Sequence, residues 1–125
     1  MFAIVSRGHK YVVKAETAGW DFDKTDLTTD NTLRELDLSA FIPVNAVLVH
    51  CWINYKSTTA NTLLRFDRKD PLNDNLRCLM YNAAANSYQA NECFLPVDAD
   101  RRISYKIDDV TWTVINIKIV GWIQR

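Results

Sequence analysis

The chain predicts an all-β fold: a single-domain antiparallel β-sandwich, jelly-roll-like, with seven or eight strands. Three observations carry that prediction. Short segments rich in β-branched and aromatic residues alternate apolar and polar side chains with the period of two that a half-buried strand requires. Polar clusters holding Asn, Asp or Pro punctuate them. Nowhere does an apolar stripe at helical spacing run for three turns. With 125 residues, 48% of them hydrophobic, and only three Gly and three Pro, the chain suits one core and shows neither linker nor repeat.

Residues 1–40 are the less regular part. HKYVVKAET is β-rich but alternates poorly, GWDFDKTDLTTDNT reads as a long polar connection, and LRELDL reads as a strand because six residues are few for a helix. SAFIPVNA then looks like a long connection crossing between sheets. VLVHCWINYK is a clear strand, with Val47, Val49, Cys51, Ile53 and Tyr55 on one face and Leu48, His50, Trp52, Asn54 and Lys56 on the other. STTAN is a turn, TLLRFDR a strand, KDPLNDN a loop and LRCLMY a strand. NAAANSYQAN is a loop or a weak helical turn, ECFLPV a strand ending near Pro96, DADRR a charged turn, and ISYKI an alternating strand. The final segment, TWTVINIKIVGW, sets Thr111, Thr113, Ile115, Ile117 and Ile119 against Trp112, Val114, Asn116, Lys118, Val120 and Trp122. That pattern leaves two tryptophans on the mixed face, which demands a cover.

Fifteen basic and fifteen acidic residues cancel, and a pI near 6.7 gives no electrostatic footprint for nucleic acid or an anionic membrane. No run approaches the ~20 apolar residues of a membrane helix, and MFAIVSRGHK lacks the plan of a signal peptide, so a soluble product with no export signal is expected. Cys51, Cys78 and Cys93 are odd in number and widely spaced, which predicts buried free thiols rather than a disulfide or zinc site.

Candidates for chemistry are few. The acidic stretch with Asp21, Asp23, Asp26 and Asp30 lacks the spacing and the Gly of a calcium loop, and reads as solvated. Asp98 and Asp100 beside Arg101 and Arg102 read as surface pairs. Neither His9 nor His50 stands next to a nucleophile or acid in an arrangement for catalysis, and no catalytic or nucleotide-binding motif occurs, so no enzyme, metal or cofactor is expected. What remains is the aromatic distribution: Trp20, Trp52, Trp112 and Trp122 with Tyr55, Tyr81, Tyr88 and Tyr105, many of them among polar neighbours. Such rings serve as sandwich rim, as subunit contact or as a sugar platform. A subunit interface would use His50, Trp52, Asn54, Trp112, Asn116, Lys118 and Trp122, and a glycan site would use Trp20, Tyr88, Asn86 and Asn91.

From residue 41 to 125, the segments PVNAVLVHCWINYKST, FLPVDADRRISYKI and VTWTVINIKIVGW resemble a small β-domain of bacteriophage virion proteins, such as tail-fibre and other surface structural proteins. The match is strongest over residues 103–106 and 112–122. The resemblance implies a non-enzymatic virion component, a capsid or tail decoration that forms a homo-oligomer, with a trimer favoured, and attaches to another virion protein. It also implies that Trp112 and Trp122 are covered, by the opposing sheet or by a neighbouring subunit. The alternative is a carbohydrate-binding module for host cell-surface polysaccharide.

Overall fold

The structure, a computed structural model, describes residues 8–70 and 78–125. Its described strands are β1 (Lys10–Val13), β2 (Phe22–Asp23), β3 (Arg34–Asp37), β4 (Ala46–Ser57), β5 (Thr62–Arg68), β6 (Cys78–Asn82), β7 (Gln89–Pro96), β8 (Arg102–Ile107) and β9 (Trp112–Gln124). A single 3-10 turn, Lys24–Asp26, follows β2, where the Asp23 carboxylate accepts from the Thr25 N–H and Asp26 accepts from the Asp23 N–H. One sheet runs β1-β9-β4-β7, with β2 also on β9, and the other runs β3-β8-β5-β6. Every pairing is antiparallel. The predicted sandwich is therefore the fold, and the two-residue β2 raises the strand count past eight.

The pairings are nested. β5 pairs with β6, β4 with β7, β3 with β8 and β1 with β9, so the chain is one long antiparallel ribbon rolled into two layers. The connection read in SAFIPVNA does cross from β3 in the second sheet to β4 in the first. Arg101 holds it, donating to the carbonyls of Ser39 (3.3 Å) and Ile42 (3.2 Å). Two loop readings need correction. The long polar connection contains β2 and the 3-10 turn, and the stretch read as a loop through Asn91 already belongs to β7 from Gln89. The KDPLNDN loop lies mostly outside the described residues.

The core sits between the sheets. Val49, Cys51, Ile53 and Tyr55 of β4 and Ile115, Ile117 and Ile119 of β9 join Leu64 and Phe66 of β5, Met80 of β6, and Ile103, Tyr105 and Ile107 of β8, all buried. Each fully buried large apolar side chain contributes on the order of 1.5–3 kcal/mol. At one end Ser57, Thr62 and Asn82 are buried polar residues bonded to one another: Ser57 Oγ lies 3.0 Å from Thr62 Oγ1 and accepts from Asn82 Nδ2 at 2.6 Å.

The two tryptophans of β9 are the main correction to the simple alternation. Lys56 pairs with Val114 but Ser57 pairs with Trp112, so Thr113 is an extra residue on β9. Likewise Cys51 pairs with Ile119 and His50 with Gly121, so Val120 is extra. Each bulge reverses the face of the residues beyond it. Trp112 consequently shares the inner face with Ser57, is 5% exposed, and donates its indole N–H to the Asp108 carbonyl at 2.9 Å. Trp122 pairs with the buried Val49 and packs, partly buried, against the same core. Both rings are covered by their own fold.

The cysteine expectation is overturned in two of three positions. Cys78 on β6 and Cys93 on β7 form a disulfide, with Cα atoms 6.0 Å apart. These strands are the edges of different sheets, so the bond clasps the two layers on one side. Cys51, the cross-strand partner of Cys93, is the free, buried thiol, and burial pushes it up to about 12.

Closing a loop of 15 residues stabilises by about 3 kcal/mol. The Cys78→Ser/Cys93→Ser double variant should lose roughly that much in urea unfolding, and an unchanged midpoint would show that the clasp contributes nothing. In the unsubstituted protein, a thiol reagent at neutral pH should label no cysteine before unfolding and Cys51 alone after it, as read by peptide mass spectrometry.

Candidate functional site

The outer face of the β1-β9-β4-β7 sheet concentrates exposed rings. Tyr11, Trp20, Trp52, Tyr88 and Phe94 are all between 42% and 57% exposed. Their arrangement follows from register. Across the sheet Phe94 pairs with His50 and His50 with Gly121, while Glu92 pairs with Trp52 and Trp52 with Lys118. One step further Ala90, Asn54 and Asn116 align, and Trp20 arrives from the loop before β2. In the amide orientation that satisfies both of its polar atoms, Asn116 accepts from the Trp20 indole N–H at 3.2 Å and donates to the Ile115 carbonyl.

At the upper end of this face the Phe94 and His50 rings stack, with centroids 4.2 Å apart and planes 10° from parallel. Tyr11 reaches across from β1, and its hydroxyl lies 2.8 Å from His50 Nδ1. Desolvation, helped by the Glu92 carboxylate, raises the Tyr11 phenol above its ordinary value. Glu92 stands 3.6 Å from His50 Nε2, an electrostatic neighbour too distant for a hydrogen bond.

Below it, Trp20 and Trp52 wall an open groove of about 560 Å³. Val13, Ala15 and Val120 supply apolar lining, and Glu16 and Lys118 are its charged members beside Lys14. The loop carrying Trp20 is fixed at several points. Lys118 Nζ donates to the carbonyls of Thr17 (2.6 Å) and Gly19 (2.8 Å), and Gly19 takes a φ of 80°, a conformation that favours glycine. Lys14 and Asp21 form a buried ion pair at 3.3 Å, and the other Asp21 oxygen accepts from the Ile119 N–H at 2.7 Å, beside the Val120 bulge. A bulge that interrupts the ladder is thus completed by a carboxylate from the loop.

The residues singled out in the sequence divide accordingly. His50, Trp52, Asn54, Asn116 and Lys118 do share this face, whereas Trp112 and Trp122 belong to the interior. The four glycan candidates do not form one site. Trp20 lies on the β9 side, Tyr88 on the opposite margin with Lys56 Nζ 5.9 Å from its ring centroid, and Asn86 in the turn before β7. Asn91 lies on the inward face of β7 and donates to the buried Tyr55 hydroxyl at 3.0 Å. Sequence reasoning missed Tyr11, Phe94 and Glu16. The alternation of ECFLPV, with Cys93 and Leu95 buried, was the signal that placed Phe94 outside.

The acidic stretch has separate structural duties. Asp21 is committed to Lys14 and Ile119, Asp23 and Asp26 to the 3-10 turn, and Asp30 to Arg34, whose guanidinium holds the Asp30 carboxyl below its usual value. Among the described residues no group of three His, Cys, Asp or Glu is placed to hold a metal ion. A scan against models of known protein families gives no match, and a search of curated proteins gives none.

Gly121 is where the face is most tightly constrained. A Cβ there would lie 2.4 Å from the Val12 carbonyl oxygen and 2.5 Å from the Tyr11 hydroxyl oxygen, so the bare backbone is what lets Tyr11 cross to His50. Gly121→Ala should cost about 1–3 kcal/mol in chemical unfolding, and much of that loss should vanish in a Tyr11→Ala background only if the ring is the obstacle. An additive double variant would place the obstacle at the β1 backbone instead.

Proposed function

We propose that this protein is a non-enzymatic accessory component of a bacteriophage virion that acts by surface contact, assembling with copies of itself and attaching to another virion protein. The observation that carries the contact reading is the cluster of five half-exposed rings on one sheet face, since large apolar groups gathered on one surface mark interaction sites. The phage assignment is supported by the resemblance of residues 103–106 and 112–122 to virion β-domain strands. The nested strand pairing supports the finer, jelly-roll reading of the sandwich.

Of the surfaces available, the β7 margin suits self-assembly best. β7 is an edge strand that carries Phe94 outward, with the exposed Tyr88 just before it and Glu92 between them to set register. The assembly proposed is a symmetric homo-oligomer, with a trimer favoured. A second reading, recognition of host polysaccharide, is favoured by one feature of its own, the groove between Trp20 and Trp52.

Light scattering on size-exclusion fractions over a range of concentrations tests the first reading. The expected mass is about three times the 14.4 kDa of one chain, falling to one chain in Tyr88→Ser/Phe94→Ser. A monomer at every concentration would overturn the self-assembly proposal.

A further inference from the structure

We propose that the Trp20–Trp52 groove binds a neutral hexopyranose stretch of a polysaccharide, the rings stacking on sugar faces while Lys118 and Glu16 bond the hydroxyls; this rests on the polysaccharide reading above. Four features of the groove point to that ligand class.

The first is shape. An open groove of about 560 Å³ falls within the range of roughly 300–1,000 Å³ typical of small-ligand sites, and it is entered from solvent. The second is the pairing of two flat rings, each nearly half exposed, with a charged rim. A pyranose presents an apolar face of C–H groups and an edge of hydroxyls, and these rings and this rim match the two parts. An apolar peptide or lipid would leave Glu16 and Lys118 facing carbon.

The third feature is preorganisation. Trp20 is tied by its indole N–H to Asn116, and its loop is tied by Lys118 and by the Lys14–Asp21 pair to β9. Trp52 stands on the central strand β4. Little ordering is left for a ligand to impose, which matters for weak stacking contacts.

The fourth feature selects for neutral sugars. The Lys14 charge is balanced at 3.3 Å by Asp21, and the Lys118 ammonium already donates to two carbonyls, keeping one of its three N–H groups for a ligand oxygen. Glu16 accepts from a hydroxyl but repels a carboxylate, and Glu92 beside Trp52 adds to that repulsion. One donor and one acceptor on the same rim suit a vicinal diol, whose two hydroxyls can accept from one group and donate to the other.

Calorimetric titration with cellohexaose, mannohexaose and hexagalacturonate tests this, with tryptophan fluorescence as a second readout and circular dichroism to verify that each variant is folded. At least one neutral hexasaccharide should bind at millimolar concentration or below, and quench fluorescence. Trp20→Ala and Trp52→Ala should each weaken it about ten-fold, equivalent to about 1.4 kcal/mol, and Glu16→Gln should weaken it several-fold. Hexagalacturonate should bind at least about ten-fold more weakly than the neutral probe.

Absence of binding by both neutral probes at several millimolar would overturn the groove proposal. Binding that survives both tryptophan substitutions would overturn its location. Hexagalacturonate binding as tightly as the neutral probes, and lost in Trp52→Ala, would overturn the neutral class while leaving polysaccharide recognition standing. Self-assembly is read separately, from solution mass.

Discussion

Twice along its length β9 carries one residue more than the β4 stretch it pairs with, at Thr113 and at Val120. Because side chains alternate faces with a period of two, each slip transfers the residues beyond it from one side of the sheet to the other. Between the slips Ile115, Ile117 and Ile119 point inward and Asn116 and Lys118 outward; beyond them Trp112 and Trp122 turn inward too. A β9 without the slips would expose both tryptophans. The same shift sends Ile123 outward, where it is buried with Val47 and Leu48 in a small second cluster. The interior filling and the mixed aromatic and polar rows of the outer face are thus two results of one pairing geometry.

The Val120 slip also shapes the candidate site. A bulge leaves ladder groups without their regular partners, and here the Asp21 carboxylate takes up the Ile119 N–H while the Lys14 N–H donates to the Val120 carbonyl. The loop that carries Trp20 is held where it is because the irregular stretch of β9 needs completing. Local backbone irregularity and the position of an exposed ring are linked through one buried ion pair.

Much of this was legible in the sequence, and the parts that were not share a cause. From Leu48 on, VLVHCWINYK shows its faces by parity, as ISYKI does, whereas Val47, read on the face of Val49, packs with Leu48 and Ile123 because the register shifts between Ala46 and Leu48; LRELDL proved a strand because β8 pairs it, whatever its own propensity. The slips left no mark, since Thr113 and Val120 are ordinary strand residues. The disulfide was hidden for a related reason. Cys78 and Cys93 meet only because the ribbon rolls and brings the β6 edge against the β7 edge, a fact of topology that spacing does not encode. In the candidate site, Trp52 and Lys118 were found by parity, whereas Trp20 joined them through contacts between residues about a hundred positions apart in sequence, such as Lys118 with Thr17.

The nesting of the strand pairs has a consequence for biosynthesis. Contacts widen steadily along the ribbon, from Phe66 with Cys78, through Cys51 with Cys93 and Leu36 with Ile103, to Val12 with Trp122. β9, made after all the other strands, is flanked by β1 and β4 and runs through the middle of its sheet. While a ribosome adds residues at about 5–20 per second, β1 and β4 must wait for the strand that belongs between them. Their exposed edges are then open to pairing with neighbouring nascent chains, and the loop-closure entropy of the widest pairs is met only at the end. Completion of this sheet therefore waits on the emergence of β9, and until then the edges of β1 and β4 stay open to one another's copies.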